Sequence, residues 1–280
     1  MKFYKLAALL AVLVVPTSAH AGALGSVFQN EVVKLEDVDY EIALDGGDGS
    51  LDVGDHLLAV IEFSATRLAA SNSLVFDASA STEAITAISL VQVAGVTVSA
   101  GGAVAQYALT GASSATWLAE TGIAAVDGTA MIAYLDPVSA PTAHVVNTSV
   151  AAGIASASEG TELFRFAVDT GAGFGGIATD FIGGTFDATN ANNLASLNFG
   201  GGFDLISNSL PGVVLIEHDF LGLGDTSALQ LQGSLESQGG AGAFDFVTDS
   251  DVYLHAVPEP SSLLAFAGVF GLGLMRRRRS

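Results

Sequence analysis

Apolar and polar residues alternate along much of the chain with a period of two. Phe164, Phe166 and Val168 fall on one side of a strand, and Arg165, Ala167 and Asp169 on the other. Leu229 and Leu231 alternate with Gln230 and Gln232, and Phe244 and Phe246 flank Asp245. Val91 and Val93 keep one phase while Val96 and Val98 keep the other, so the change at Gly95 predicts a β-bulge. Residues 58–63, 131–135 and 213–216 are almost continuously apolar and read as central strands. Turn signals separate these runs: Gly101-Gly102, Asp127-Gly128, Asp136-Pro137, Gly183-Gly184, residues 200–202, Pro211-Gly212 and Gly239-Gly240. A last strand is expected over residues 251–256. No helical stripe is sustained between the two ends, although a short helix fits residues 187–197. The pattern predicts an all-β fold, an antiparallel β-sandwich or jelly-roll-like body.

The two ends break this pattern. Lys2 and Lys5 precede an apolar run over residues 6–15, which Pro16 stops. Ala19 and Ala21 then flank His20 in the small-x-small spacing that a signal peptidase cleft accepts, so cleavage is expected after Ala21. At the other end Pro258, Glu259 and Pro260 interrupt any strand, since each proline lacks a backbone donor. Residues 261–275 are apolar or small and predict a short C-terminal transmembrane helix. At about 1.5 Å per residue it reaches about 22 Å, short of a hydrocarbon core of about 30 Å. Arg276, Arg277, Arg278 and Arg279 follow and would stay on the cytoplasmic side. The chain thus divides into a signal peptide (residues 1–21), a β-rich body (22–256) and a tail (257–280).

This tail resembles the PEP-CTERM sorting signal of Gram-negative bacteria that make extracellular polysaccharide. The resemblance implies export, passage through a membrane-anchored stage, and processing near the motif by an exosortase-like enzyme. It covers about the last 24 residues and does not describe the body. An ordinary single-pass anchor predicts the same location without processing.

Charge narrows the choice of partners. Of 29 acidic residues only Glu259 lies in the tail, whereas Lys34, Arg67 and Arg165 are the only bases between the two ends. So negative a body repels phosphate backbones, which argues against nucleic acid, and attracts cations. The chain has no cysteine, which removes disulfides and thiolate metal sites.

Residues 45–55 hold the densest chemistry, DGGDGSLDVGD. Calcium needs hard oxygen ligands on a backbone that can curl around it. With Gly49 as position 6 of an EF-hand or dockerin-like loop, Asp48 falls at 5, Ser50 at 7, Leu51 at 8, Asp52 at 9 and Asp55 at 12. Positions 1 and 3 are Leu44 and Gly46, which bring no side-chain oxygen, and Asp45 is displaced by one. The segment resembles half of such a loop. Two readings remain open: a calcium site formed by Asp45, Asp48, Ser50, Asp52 and Asp55, completed by Glu41 or a distant carboxylate, or a solvated acidic turn between two strands.

The remaining motifs are weaker. Gly171, Gly173 and Gly176 fit G-x-G-x-x-G but no helix pattern follows them. His56, His144, His218 and His255 have no metal spacing, and Glu217-His218-Asp219 reads as a surface run. Asn147-Thr148-Ser149 fits a glycosylation triplet, and Trp117 reads as core or rim. No G-x-S-x-G elbow and no lysine P-loop is present, and a carboxylate pair for glycoside cleavage stays open but undistinguished among the many acids of the body, which leads to the expectation of a non-enzymatic surface or extracellular-matrix protein contributing to biofilm or floc polymer. The alternative is a calcium-dependent module that binds polysaccharide or mediates adhesion, and a secreted hydrolase stands third.

Overall fold

A computed structural model describes residues 23–27, 31–46, 51–98, 104–137, 145–179, 196–210, 213–237 and 243–258. The signal-peptide residues and the apolar stretch and arginines of the tail lie outside the described residues. Among the described residues, no helix is long and apolar enough to cross a membrane.

The strands are β1 (Val33–Leu44), β2 (His56–Leu68), β3 (Leu74–Asp77), β4 (Glu83–Val98), β5 (Val104–Gly111), β6 (Thr129–Pro137), β7 (Thr161–Val168), β8 (Phe174–Thr179), β9 (Ser196–Asn208), β10 (Val213–Leu215), β11 (Leu229–Ser237), β12 (Phe246–Leu254) and β13 (Ala256–Pro258). Three short helices accompany them: α1 (Ala23–Val27), α2 (Ser114–Thr121) and α3 (Val150–Ala157). Following hydrogen-bonded neighbours from β2 through β1, β12, β11, β9, β7, β6 and β4 returns to β2, every pair antiparallel.

This ring is a closed eight-stranded barrel, which corrects the expected sandwich or jelly roll. Period-two alternation places one face inward in either architecture, so it cannot distinguish them. Closure depends on β2 meeting β4, from His56 opposite Gln92 to Phe63 opposite Ile85. That pairing consumes what would have been two free sheet edges.

Two long strands change partner partway along one edge. Residues 83–89 of β4 pair with β6 and residues 91–98 with β5. Residues 203–208 of β9 pair with β7 and residues 196–201 with β8. Since β5 pairs with β8, the wall between β4 and β9 consists of β6 and β7 at one end and β5 and β8 at the other. The phase change expected at Gly95 is present as a register shift between Val93 and Gly95, where β4 bends.

The chain builds two apolar layers on this frame. Inside the barrel, Leu57, Ala59, Ile61 and Phe63 of β2 meet residues such as Met131, Phe166, Phe203, Leu231 and Phe246. Outside, Leu58 and Val60 of β2, Ile88 and Leu90 of β4, and Ile132 and Tyr134 of β6 form a second layer under α2 and α3. The continuous apolar runs at 58–63 and 131–135 are therefore strands buried on both faces. Trp117 of α2 is fully buried here and donates from Nε1 to the Thr129 carbonyl at 2.7 Å.

The sequence pattern missed both helices because each is only eight residues of mostly Ala, Ser and Thr. Their caps were readable: the Ser113 and Ser149 hydroxyls accept from the Thr116 and Ala152 amides. Ser149 of the glycosylation triplet is thus a helix cap. Residues 200–202 do not turn; they lie inside β9. A Cβ on Gly201 would sit 2.2 Å from the Gly173 carbonyl oxygen, so glycine there allows the 169–173 loop to cross the strand.

Candidate functional site

Three places on the barrel combine reactive or binding groups: the turn after β1, the inward face of β1, and the junction with the tail.

In the turn, Leu51 is buried and anchors the segment while Asp52 and Val53 are exposed. Asp55 Oδ2 accepts from the Asp52 amide at 2.6 Å, and Asp55 N donates back to the Asp52 carbonyl. Gly54 and Asp55 then tie the turn to Val93 of β4 through two backbone bonds of 2.9 and 2.8 Å. Asp45, Asp52 and Asp55 thus lie around the β1–β2 connection, while Asp48 and Ser50 lie outside the described residues. Among the described residues, no group of three or more His, Asp or Glu side chains is placed to hold a metal ion.

The inward face of β1 carries a row that sequence reasoning passed over. Val33 and Leu35 begin it, and Asp37, Asp39 and Glu41 continue the same phase into the barrel. The opposite phase, Tyr40, Ile42 and Leu44, packs against the outer apolar layer. Asp37 and Asp39 are only 4 % and 3 % exposed, so both are almost withdrawn from solvent, Asp37 and Ser250 lying at the floor of the groove that Lys34 and Glu36 border. Asp37 accepts hydrogen bonds from the Ser250 amide and hydroxyl of β12. Asp39 lies opposite Thr248 in the register. Asp39 Oδ1, Glu41 Oε2 and Thr248 Oγ1 are buried and make no hydrogen bond of good geometry, although the Thr248 hydroxyl is near enough to both carboxyls to oppose their upward shift. As a residue Glu41 is only partly buried, since it borders a cavity of about 30 Å³ lined with Leu57, Val91, Leu109, Phe174 and Phe199.

Burial sets the electrostatics of this row. Desolvation pushes the Asp37 carboxyl up to about 7, against the opposing pull of the Ser250 bonds. Asp39 is held well above the usual carboxylate range by burial first, then by the charges of Asp37 and Glu41. Glu41 is pushed up to about 8, again chiefly by burial. No base offsets them. Lys34 pairs with Glu36 and Asp251 at 2.9 and 3.0 Å, Arg67 with Glu36 at 2.8 Å, and Arg165 with Glu162 at 2.7 Å. Lys34, Glu36 and Asp251 border an outer groove of about 760 Å³, together with Ser64, Asn198, Gln232, Ser234 and Asp249.

The third place is the tail junction. Leu254 ends β12, and after one residue β13 pairs with β10 as a two-stranded ribbon, Ala256 opposite Leu215 and Pro258 opposite Val213. Ala256 is fully buried in the barrel core, and the His255 carbonyl accepts from Ile216 N at 2.8 Å. The first proline of the motif is therefore part of the folded body. The family model for the PEP-CTERM protein-sorting motif matches residues 256–279.

The chain carries a PEP-CTERM sorting motif. It begins at the buried Ala256 and includes Pro258, Glu259, Pro260 and the four arginines. The motif implies processing by an exosortase, and with it export and processing at the membrane or surface in Gram-negative bacteria. No curated protein and no solved structure matches the chain. Ala19 and Ala21 of the expected cleavage site lie outside the described residues. Glu217 and His218 are exposed, as expected of a surface run, and Asp219 accepts from Leu223 N and Gly224 N within its own loop.

Proposed function

We propose that the body is a non-enzymatic surface or extracellular-matrix barrel, delivered by an exosortase-type system and contributing to biofilm or floc polymer. The observation that carries this reading is the sorting motif at residues 256–279, continuous with the last strand of the fold. The barrel supports it: apart from the acid row of β1 its interior is packed with apolar side chains, and the wall around the outer groove is lined mostly by polar and charged residues. The outer groove presents Asn198, Gln232 and Ser234, which suit the hydroxyls of a polysaccharide.

Mass spectrometry of the two ends of the surface protein tests delivery. The expected chain starts at Gly22 and lacks the four arginines; an arginine tail still present on the mature surface protein would contradict sorting and leave a plain anchor. Binding of the exported chain to the host's own polysaccharide, weakened by Gln232→Ala, tests the matrix role. The calcium-dependent adhesion reading rests on Asp45, Asp52 and Asp55 around one turn. Titration calorimetry with calcium decides it, and no heat and no change in Tm at millimolar calcium would remove it.

A further inference from the structure

The row on the inward face of β1 holds more acceptors than donors: Ser250 serves Asp37, and the one Thr248 hydroxyl is shared between Asp39 and Glu41. From the flanking strands the side chains facing it are Ala59, Ile61 and Phe63 of β2 and Phe246, Thr248 and Ser250 of β12. None is basic, and Ser250 is already committed to Asp37. Tyr107 of β5 also faces inward, but burial pushes its hydroxyl up to about 12, so it is neutral at ordinary pH. Of the outward charges beside Ser250, Asp249 and Asp251 have the same sign as the row, and Lys34, which borders the same groove as Asp37, is held by Glu36 and Asp251. Asp245, at the entry to β12, donates its amide to the Glu41 carbonyl and is another acid, raised by its own burial.

Three ionised carboxylates in this setting would be buried charges without counter-ions, which is strongly unfavourable. Something must neutralise them. A calcium ion takes six to eight oxygens, whereas the cavity beside Glu41 is bordered mostly by apolar side chains and no three acids are placed around a metal position. A proton needs no such shell. It converts one carboxyl oxygen of Asp39 or Glu41 into a donor, and the Thr248 hydroxyl, which meets both carboxyls, can then accept from one and donate to the other.

We propose that Asp37, Asp39 and Glu41 form a proton-binding site inside the barrel, so that the wall between β1 and β12 is tight while the row is neutral and loosens when it loses its protons. The direction follows from linkage. The carboxyls titrate near 4 when unfolded and higher when folded, so the folded barrel binds more protons. Their stabilisation is complete below about pH 4 and is lost as the pH rises through the folded values of about 7 for Asp37 and about 8 for Glu41. Asp37 alone lowers the folding equilibrium about tenfold between pH 6 and pH 9. The device senses an alkaline shift outside the cell.

The test uses the intact exported chain, melted from pH 5 to pH 9 in low and high salt, with infrared spectra of the carboxyl region. The wild type should lose Tm between pH 6 and pH 9 in both salts, because a buried row is poorly screened while surface repulsion is suppressed. It should show a protonated-carboxyl band at pH 6 that fades by pH 9. Asp39→Asn with Glu41→Gln should reduce the Tm loss to the share of Asp37 and weaken that band, and Glu159→Gln at an exposed position after α3 should do neither. If the double variant does not fold, the wild-type infrared band decides alone. A wild-type chain with no protonated band at pH 6, or a Tm loss abolished by high salt, overturns the proposal. So does an ionised row whose Tm rises with calcium, which would make it a metal site.

Discussion

Residues 37–41 and 45–55 are both rich in carboxylates and lie a few residues apart, yet the barrel places them in opposite settings. Asp37, Asp39 and Glu41 point into the lumen, where burial raises their proton affinity and leaves oxygens without a hydrogen bond of good geometry. Asp52 and Asp55 lie in a turn that bonds to itself, with Asp52 open to water. The difference comes from where the chain leaves the wall: Ala43 is the last inward position packed against the lumen, and Gly46, Asp52 and Val53 beyond it are exposed. Acid density alone therefore does not identify the reactive carboxylates. The surroundings of each one do, because the free energy of a charge depends on its solvent and its partners.

Placing the same new carboxyl in each region should separate them most. Ile61→Asp, opposite Asp39 in the register, adds a fourth acid to the lumen and should cost about 3–5 kcal/mol at pH 8 in denaturant unfolding. A loss under 1 kcal/mol, by the same measurement, would mean that the lumen is wet and the contrast false. Removing a lumen acid should act the other way. Asp39→Leu should be neutral or stabilise by up to about 4 kcal/mol at pH 8, less at pH 5, as read from urea midpoints. Destabilisation at both pH values would reveal an essential partner for Asp39.

The turn should respond more weakly. Asp55→Ala removes the acceptor of the Asp52 amide and should cost about 0.5–1.5 kcal/mol by the same unfolding assay. Val53→Asp adds a carboxyl to a side chain that is 64 % exposed, and should change stability by less than about 0.5 kcal/mol. If Val53→Asp matches Ile61→Asp in size, net charge and not burial governs this protein.

Much of the strand content was legible because it is local. The alternation at 164–168 and 229–232, the bulge at Gly95 and the doubly buried runs at 58–63 and 131–135 all appear in the barrel. The lumen row was less legible for a specific reason. Asp37, Asp39 and Glu41 share the phase of Val33 and Leu35, but the other phase holds Val38, Tyr40, Ile42 and Leu44. Read alone, β1 points its apolar side inward and its acids to water. Val38 on that side is exposed, but Tyr40, Ile42 and Leu44 are half-buried under Phe244 and its neighbours in the outer layer, and that layer requires segments far away in sequence.

By itself the sequence determined the strand-forming segments, the acidic and cysteine-free body, and the sorting motif, because each depends on residues next to one another. Tertiary structure alone decided the closed barrel in place of a sandwich, since the ring needs β1, near one end of the body, to pair with β12, near the other. It also decided which carboxylates lose their water. Desolvation belongs to the environment that the whole fold assembles around a residue, and on β1 that environment encloses Asp37, Asp39 and Glu41.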